Sequence, residues 1–250
     1  MAAPRARRRD EPAPPARVMS IHAHPDDQEF TVAGTLARWA KAGSAIVTVC
    51  VTRGEAGSNR DTPADMTRER LAAIREEEQR RACRVLGIEE VVFLGHQDGV
   101  LQPTIALRRD LTRLIRRYRP DAVVCGDPTV RFHGNRYMNH PDHRVAADVA
   151  LDAVFPSAET RFIFEELLDE GLAPHHVKEV YLHGSDAPDT FVDISDVLDV
   201  KVRALREHRS QLGDWDPTPM LTSWARQQGR PRRLAAAEAF RRMVLEDDAG

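Results

Sequence analysis

The sequence predicts an α/β fold, a Rossmann-like three-layer sandwich with a mostly parallel sheet and helices on both faces. Three observations carry that expectation. Short β-branched runs alternate with longer amphipathic stretches. The runs are apolar throughout, as strands buried on both faces must be. Each run ends in a polar segment before the next helical stretch, the rhythm of right-handed βαβ units. At 42% hydrophobic over 250 residues, the chain has material enough for a continuous core.

The first strand is expected over residues 17–22 and a helix over about 30–41, together one βα unit. A second strand over 45–51 runs into a Gly-containing loop, and the charged amphipathic stretch 67–86 reads as a helix closed by Gly87. Residues 91–94 form the third strand. A helix over 103–118 is started by Pro103, and the fourth strand, 122–125, follows the break at Pro120. Beyond Pro141 come a helix to about 154, strands near 177–182 and 190–193, and a helix over 195–211. Residues 1–16 mix Arg, Pro and Ala in a composition that buries little, which predicts a disordered tail ahead of a single domain over 17–250.

Acidic and basic residues nearly balance at a net charge of −3, so no global field recruits nucleic acid or an anionic membrane. No apolar run reaches the ~20 residues that span a bilayer, and the N-terminus lacks a signal-peptide core. Cys50, Cys83 and Cys125 are odd in number and set among apolar residues, which suits reduced core thiols and a cytoplasmic location.

Open α/β sheets bind ligands beyond the carboxyl ends of their strands. There the polar residues gather: His24 to Asp27 after the first strand, Arg53 to Glu55 after the second, His96 and Asp98 after the third, and 133–143 after the fourth. Two tetrads stand out, His24-Pro25-Asp26-Asp27 and His140-Pro141-Asp142-His143. A hydrolytic zinc site needs about three protein ligands and an open position; His24, Asp27 and His143 meet that count. Taken singly, Asp26 or Asp27 could cap a helix and His140 could be a surface residue. Jointly, two such tetrads at two strand ends point to a metal.

These residues resemble the LmbE-like, PIG-L N-acetylglucosaminyl deacetylases, through AHPDD at 23–27 and HPDH at 140–143. Further blocks agree in order: Thr52-Arg53-Gly54-Glu55 with Gly57, Arg75 and Glu78, Asp98, Asp193-Ile194-Ser195, His208-Arg209-Ser210-Gln211 and Ala237-Glu238-Ala239-Phe240-Arg241. The resemblance covers about 18–242. It implies a metal-dependent hydrolase that removes the acyl group of an N-acetylglucosamine conjugate, with Zn2+, or alternatively Fe2+, held by His24, Asp27 and His143. It further implies Asp26 as general base, a protonated His140 for the oxyanion, Asp142 orienting that histidine, and Arg75 and Asp98 on the substrate. Arg53 and Glu55 are further substrate-facing candidates on their strand-end loop. For Arg75 a solvated charged helix face is an equal alternative, and His208 suits buried hydrogen bonding better than metal binding. Relatives form trimers and hexamers, which extends a homo-oligomer to this chain as an expectation. Two departures are Gln28, where many relatives have Glu, and Tyr137, which stands one residue before the place some members give a tyrosine. Two rival readings stay open: an amidase of mycothiol-type thiol conjugates, and a non-catalytic sugar-binding module.

Overall fold

A computed structural model describes residues 11–245 of the chain. Strand β1 (Arg17–His22) leads through α1 (Asp27–Thr31) and α2 (Ala33–Lys41) to β2 (Ala45–Thr52). Helix α3 (Arg68–Leu86) leads to β3 (Glu90–His96), and α4 (Ile105–Tyr118) to β4 (Ala122–Gly126). A hairpin of β5 (Phe132–His133) and β6 (Tyr137–Met138) precedes α5 (Pro141–Asp152), a π-helical turn (Ala153–Ser157) and α6 (Glu166–Asp169). Then follow β7 (Glu179–His183), β8 (Thr190–Asp193), α7 (Leu198–Leu205), α8 (Arg209–Leu212), α9 (Thr218–Gly229), a 3-10 turn (Arg230–Arg232) and β9 (Ala237–Val244).

The main sheet has the order β3-β2-β1-β4-β7-β9-β8. Its first five strands are parallel, and β9 runs antiparallel to both neighbours. Met19 lies level with Val47 and Val123, and these three face α4 and α5 through Leu111, Ile115, Val149 and Ala150. One residue to either side the pleat reverses, so Val18 and Val124 meet Leu36, Trp39, Cys83 and Leu86 on the other face. Both faces are therefore covered, as the apolar strands required. The chain leaves β1 in one direction to β2 and β3, then returns to place β4 on its other side. The crevice for a ligand thus falls where β1 and β4 end.

Several expectations change in detail. The helix expected over 30–41 is broken at Val32 (φ −123°) into α1 and α2, so the first helix begins at Asp27, inside the first tetrad. The helix over 195–211 is α7 and α8, with His208 at the junction. Strand β9 lacks a β-branched run and carries Glu238 inward, so periodicity does not reveal it. Of the tail, 1–10 lie outside the described residues, while Glu11 pairs with Arg38 (3.0 Å) and the Pro15 carbonyl accepts from Ser44 Oγ (2.6 Å). All three cysteines are buried free thiols, and burial pushes Cys83 and Cys125 up to about 12, where neither is a nucleophile at neutral pH.

Glu238 ties the last strand to the layer beneath the site. Its carboxylate accepts from the Gly34 and Thr35 amides (2.9 and 2.7 Å) at the start of α2 and from Lys201 Nζ (2.5 Å). Gly34 permits that approach, since a Cβ there would stand 2.8 Å from Ile194. Glu238→Ala should cost about 3–5 kcal/mol, because it strands a buried ammonium and two helix amides; equilibrium denaturation showing under 1 kcal/mol would refute this.

Candidate metal centre and active site

Beyond β1 the chain turns sharply at Pro25-Asp26. Asp26 adopts a left-handed conformation (φ 95°), which Asp tolerates better than most residues, and its carbonyl accepts from the Glu29 and Phe30 amides. Its side chain makes no cap, so the capping alternative for Asp26 does not hold. Asp27 Oδ2 accepts from the His24 amide (2.9 Å), folding the loop so that both side chains converge. At the start of α5 the roles differ: His140 is the N-cap, its Nδ1 accepting from the Asp142 amide (3.2 Å), with Pro141 in the first turn. His143 lies one turn on, facing back toward β1.

The two tetrads meet. His143 Nε2 is 3.0 Å from Asp27 Oδ1 and 3.2 Å from His24 Nδ1, and His24 Nδ1 is 3.5 Å from Asp27 Oδ2. Donors of a tetrahedral zinc site with bonds of about 2.0–2.2 Å stand about 3.3–3.6 Å apart, so these separations, which reach Asp27 through Oδ1 on one side and Oδ2 on the other, are close to what such an ion needs. The outward nitrogens are also held. His24 Nε2 faces Asp98 Oδ1 (3.0 Å) and Asp142 Oδ2 (3.4 Å), and His143 Nδ1 faces Asn139 Oδ1 (3.2 Å). A metal-binding histidine characteristically donates its other N–H to such a partner, which fixes ring and tautomer.

Two further triplets converge, His24 with His140 and His143, and His24 with Asp98 and Asp142. In the second, the carboxylates are already engaged: Asp98 Oδ2 accepts from the Ala56 amide (2.8 Å), and Asp142 accepts from Gly99 and Leu101 (2.7 and 3.2 Å). In the first, His140 uses its Nδ1 as a cap. His24, Asp27 and His143 lie within 3.0–3.5 Å of one another, and the outer nitrogens of both histidines are supported.

The electrostatics ask for a cation there. Burial alone would depress His24, but Asp27, with the bonded Asp142 and Asp98, outweighs it and raises its pKa to about 12. Burial works against Asp27 too, yet His143 and His24 hold its carboxyl well below the usual range. Asp26 moves the other way: burial raises it, Arg75 opposes, and the Asp27 charge adds to the rise. A raised carboxyl beside an acidic ligand set is the setting of a general base.

The flanking residues are engaged with neighbouring protein groups. Arg75 is buried, neither on a solvated face nor in the cleft. It donates to the Gly54 and Pro25 carbonyls (2.8 and 2.5 Å) and pairs with Asp26 Oδ2 (3.0 Å), so it positions the base. Gly54 (φ 70°) lies flat on that guanidinium, where a Cβ would come within 2.5 Å of Nη1. Asp98 meets His24 through Oδ1 and the Ala56 amide through Oδ2. Asp142 lies 4.0 Å from His140 Nδ1, beyond hydrogen-bond reach, and orients His24 instead. Arg53 pairs with Glu76 and Glu69, and Glu55 accepts from the Asp98 amide (2.9 Å) and Arg68 (3.1 Å), so both brace the loop. His208 is buried against Glu29 (3.2 Å), as expected of it, and Gln28 bonds Thr48 and Glu29 in the same buried network.

His140 is half-buried, and burial, with His24 and His143 nearby, lowers its pKa. Because its Nδ1 accepts from the Asp142 amide, the ring has Nε2 left to act as a donor toward the cleft. Sequence reasoning passed over Asn139, although its place four residues before His143 offered a signal. It also missed His22 and His183, which stack at 5.6 Å beneath the site and come from strands distant in sequence.

The family model described as PIG-L, GlcNAc-PI de-N-acetylase, matches residues 19–154, which include both tetrads. A diacetylchitobiose deacetylase of Thermococcus kodakarensis is 33% identical over 206 residues, 80% of this chain and 74% of that protein. A probable N-acetyl-alpha-D-glucosaminyl L-malate deacetylase of Bacillus anthracis is 28% identical over 202 residues, 78% and 80% of the two chains. The N,N'-diacetylchitobiose deacetylase of Pyrococcus horikoshii, solved with an inhibitor, superposes with a TM-score of 0.84 at 31% identity, covering 92% of this chain and 84% of that one.

Proposed function

Because the chain belongs to the PIG-L family of GlcNAc-PI de-N-acetylases, we propose that it hydrolyses the acetamide of a small N-acetylglucosamine conjugate, with His24, Asp27 and His143 holding one zinc ion. The observation that supports this most is the convergence of those three donors beside the half-buried Asp26 carboxylate, whose pKa is raised. The same donor set accepts Fe(II), and availability decides loading in a cell. When bound, the ion supplies Lewis acidity at the amide oxygen and acidifies a water.

The chain's own groups do the rest. Asp26, held by Arg75 and by its amide on Gln79 Oε1 (2.9 Å), takes a proton from the attacking water. His140 Nε2–H donates to the oxygen on which negative charge develops. Asp26 then returns its proton to the amine nitrogen, which cannot leave as an anion.

Asp26 acts as a base only when ionised, so activity is present above its pKa and lost as pH falls through it. Arg75→Met removes the charge that holds that pKa down, so the acid limb of kcat/KM should move to higher pH; an unmoved limb would separate Arg75 from the base.

Among the described residues no helix is long and apolar enough to cross a membrane. A cytoplasmic location belongs to the proposal, supported by three buried free thiols. So does a homo-oligomer, for which exposed Phe155, Phe162, Trp215 and Trp224 offer apolar surface. The test is free-amine release by zinc-loaded protein from acetylglucosaminides carrying a second sugar, inositol or malate, against cysteinyl amides. Turnover confined to the cysteinyl amides would replace the deacetylase reading with an amidase of thiol conjugates.

A further inference from the structure

A cavity of about 50 Å3 opens beside Asp27 and His143, between the ends of β1, β4 and β7 and the start of α5. Its apolar wall is Ile21, Ala23, Gly126, Ala146 and Ala147, with Thr31 and the His22 and His183 rings completing the lining. The two rings stack at 5.6 Å, and Asp27 and His143 line the end nearest the candidate metal centre. The size is selective. A single water needs about 10–15 Å3 and benzene fills an engineered cavity of about 150 Å3, so this space suits a group far smaller than a ring.

We propose that this cavity receives the methyl of the acyl group, and that Gly126 and Ala147 set its length limit at acetyl. The assignment rests on the amide-hydrolase reading above. In any acyl group the first carbon beyond the carbonyl lies about 2.4 Å from the carbonyl oxygen. The pocket for it must therefore begin within a side chain's reach of the groups that hold that oxygen, and this cavity begins at two of the three donor residues. Its apolar walls favour a methyl, and its volume turns away a longer chain. Gly126 stands at the wall: a Cβ there would meet Ala147 Cβ and His183 Cε1 at 3.7 Å, an ordinary contact that takes up the cavity without disturbing the backbone.

The test compares N-formyl, N-acetyl and N-propionyl versions of one amino-sugar conjugate. Zinc-loaded wild type should favour acetyl over propionyl. Gly126→Ala should raise the formyl-to-acetyl ratio of kcat/KM by about 10–200-fold, the range for one methyl in an apolar pocket. Placed in the Asp26→Asn background, the same change should weaken binding of the N-acetyl compound, measured by calorimetry, more than that of the N-formyl compound. Melting temperature and zinc content should match the parent, which separates pocket filling from misfolding. Ala147→Gly should move the preference toward propionyl. Equal loss of formyl and acetyl turnover, or an acyl profile unmoved by both variants, would overturn the assignment. Hydrolysis of no amide at all by wild type would sink the parent reading and the pocket with it.

Discussion

Asp26→Asn should leave zinc content and melting temperature at wild-type values and lower kcat by about 10²–10⁴-fold, the share that a positioned general acid–base contributes. The expectation rests on shape as much as charge. Asparagine keeps the volume, tolerates the positive φ of Asp26 (95°) and still accepts from Arg75, so the turn and the donors on either side of it persist. What it loses is the ability to take a proton from water and return it to nitrogen. Comparable turnover in this variant would remove Asp26 from the chemistry, whatever the metal content.

Substitution of the donors should separate ligands from supports. His24→Ala and His143→Ala should each abolish stoichiometric zinc, measured on dialysed protein, and turnover with it. Asp98→Asn should retain zinc with affinity weakened about 10–100-fold, as loss of a carboxylate behind a ligating histidine does. If the ion sat instead among His24, Asp98 and Asp142, the order would invert: Asp98→Asn would lose the metal and His143→Ala would keep it. The raised pKa of His24 adds a signature, because the ion must displace a proton held below about 12. Zinc binding at pH 7 should release protons and strengthen as pH rises.

The sheet was legible because buried parallel strands are apolar runs and Gly and Pro mark their ends. The donors were legible because the metal needs His and Asp at fixed spacing next to those ends. What lay beyond reach was direction. Arg75 sits among Glu76, Glu77 and Glu78, and nothing local says that its side chain turns inward to Asp26. Asp98 and Asp142 look alike in sequence to a substrate contact and a histidine partner; only the packing of the β3–α4 loop against α5 turns both onto His24. Strand β9 was hidden for a related reason, since Glu238 breaks the apolar run to reach the amides of a helix some two hundred residues earlier. Such long-range polar contacts leave no periodic trace.

The most direct test is the anomalous-scattering map of a zinc-loaded crystal, recorded on both sides of the zinc absorption edge. One peak per chain at bonding distance from His24 Nδ1, Asp27 and His143 Nε2 is the predicted result. A peak among His24, Asp98 and Asp142, or none near these residues in active protein, would contradict it.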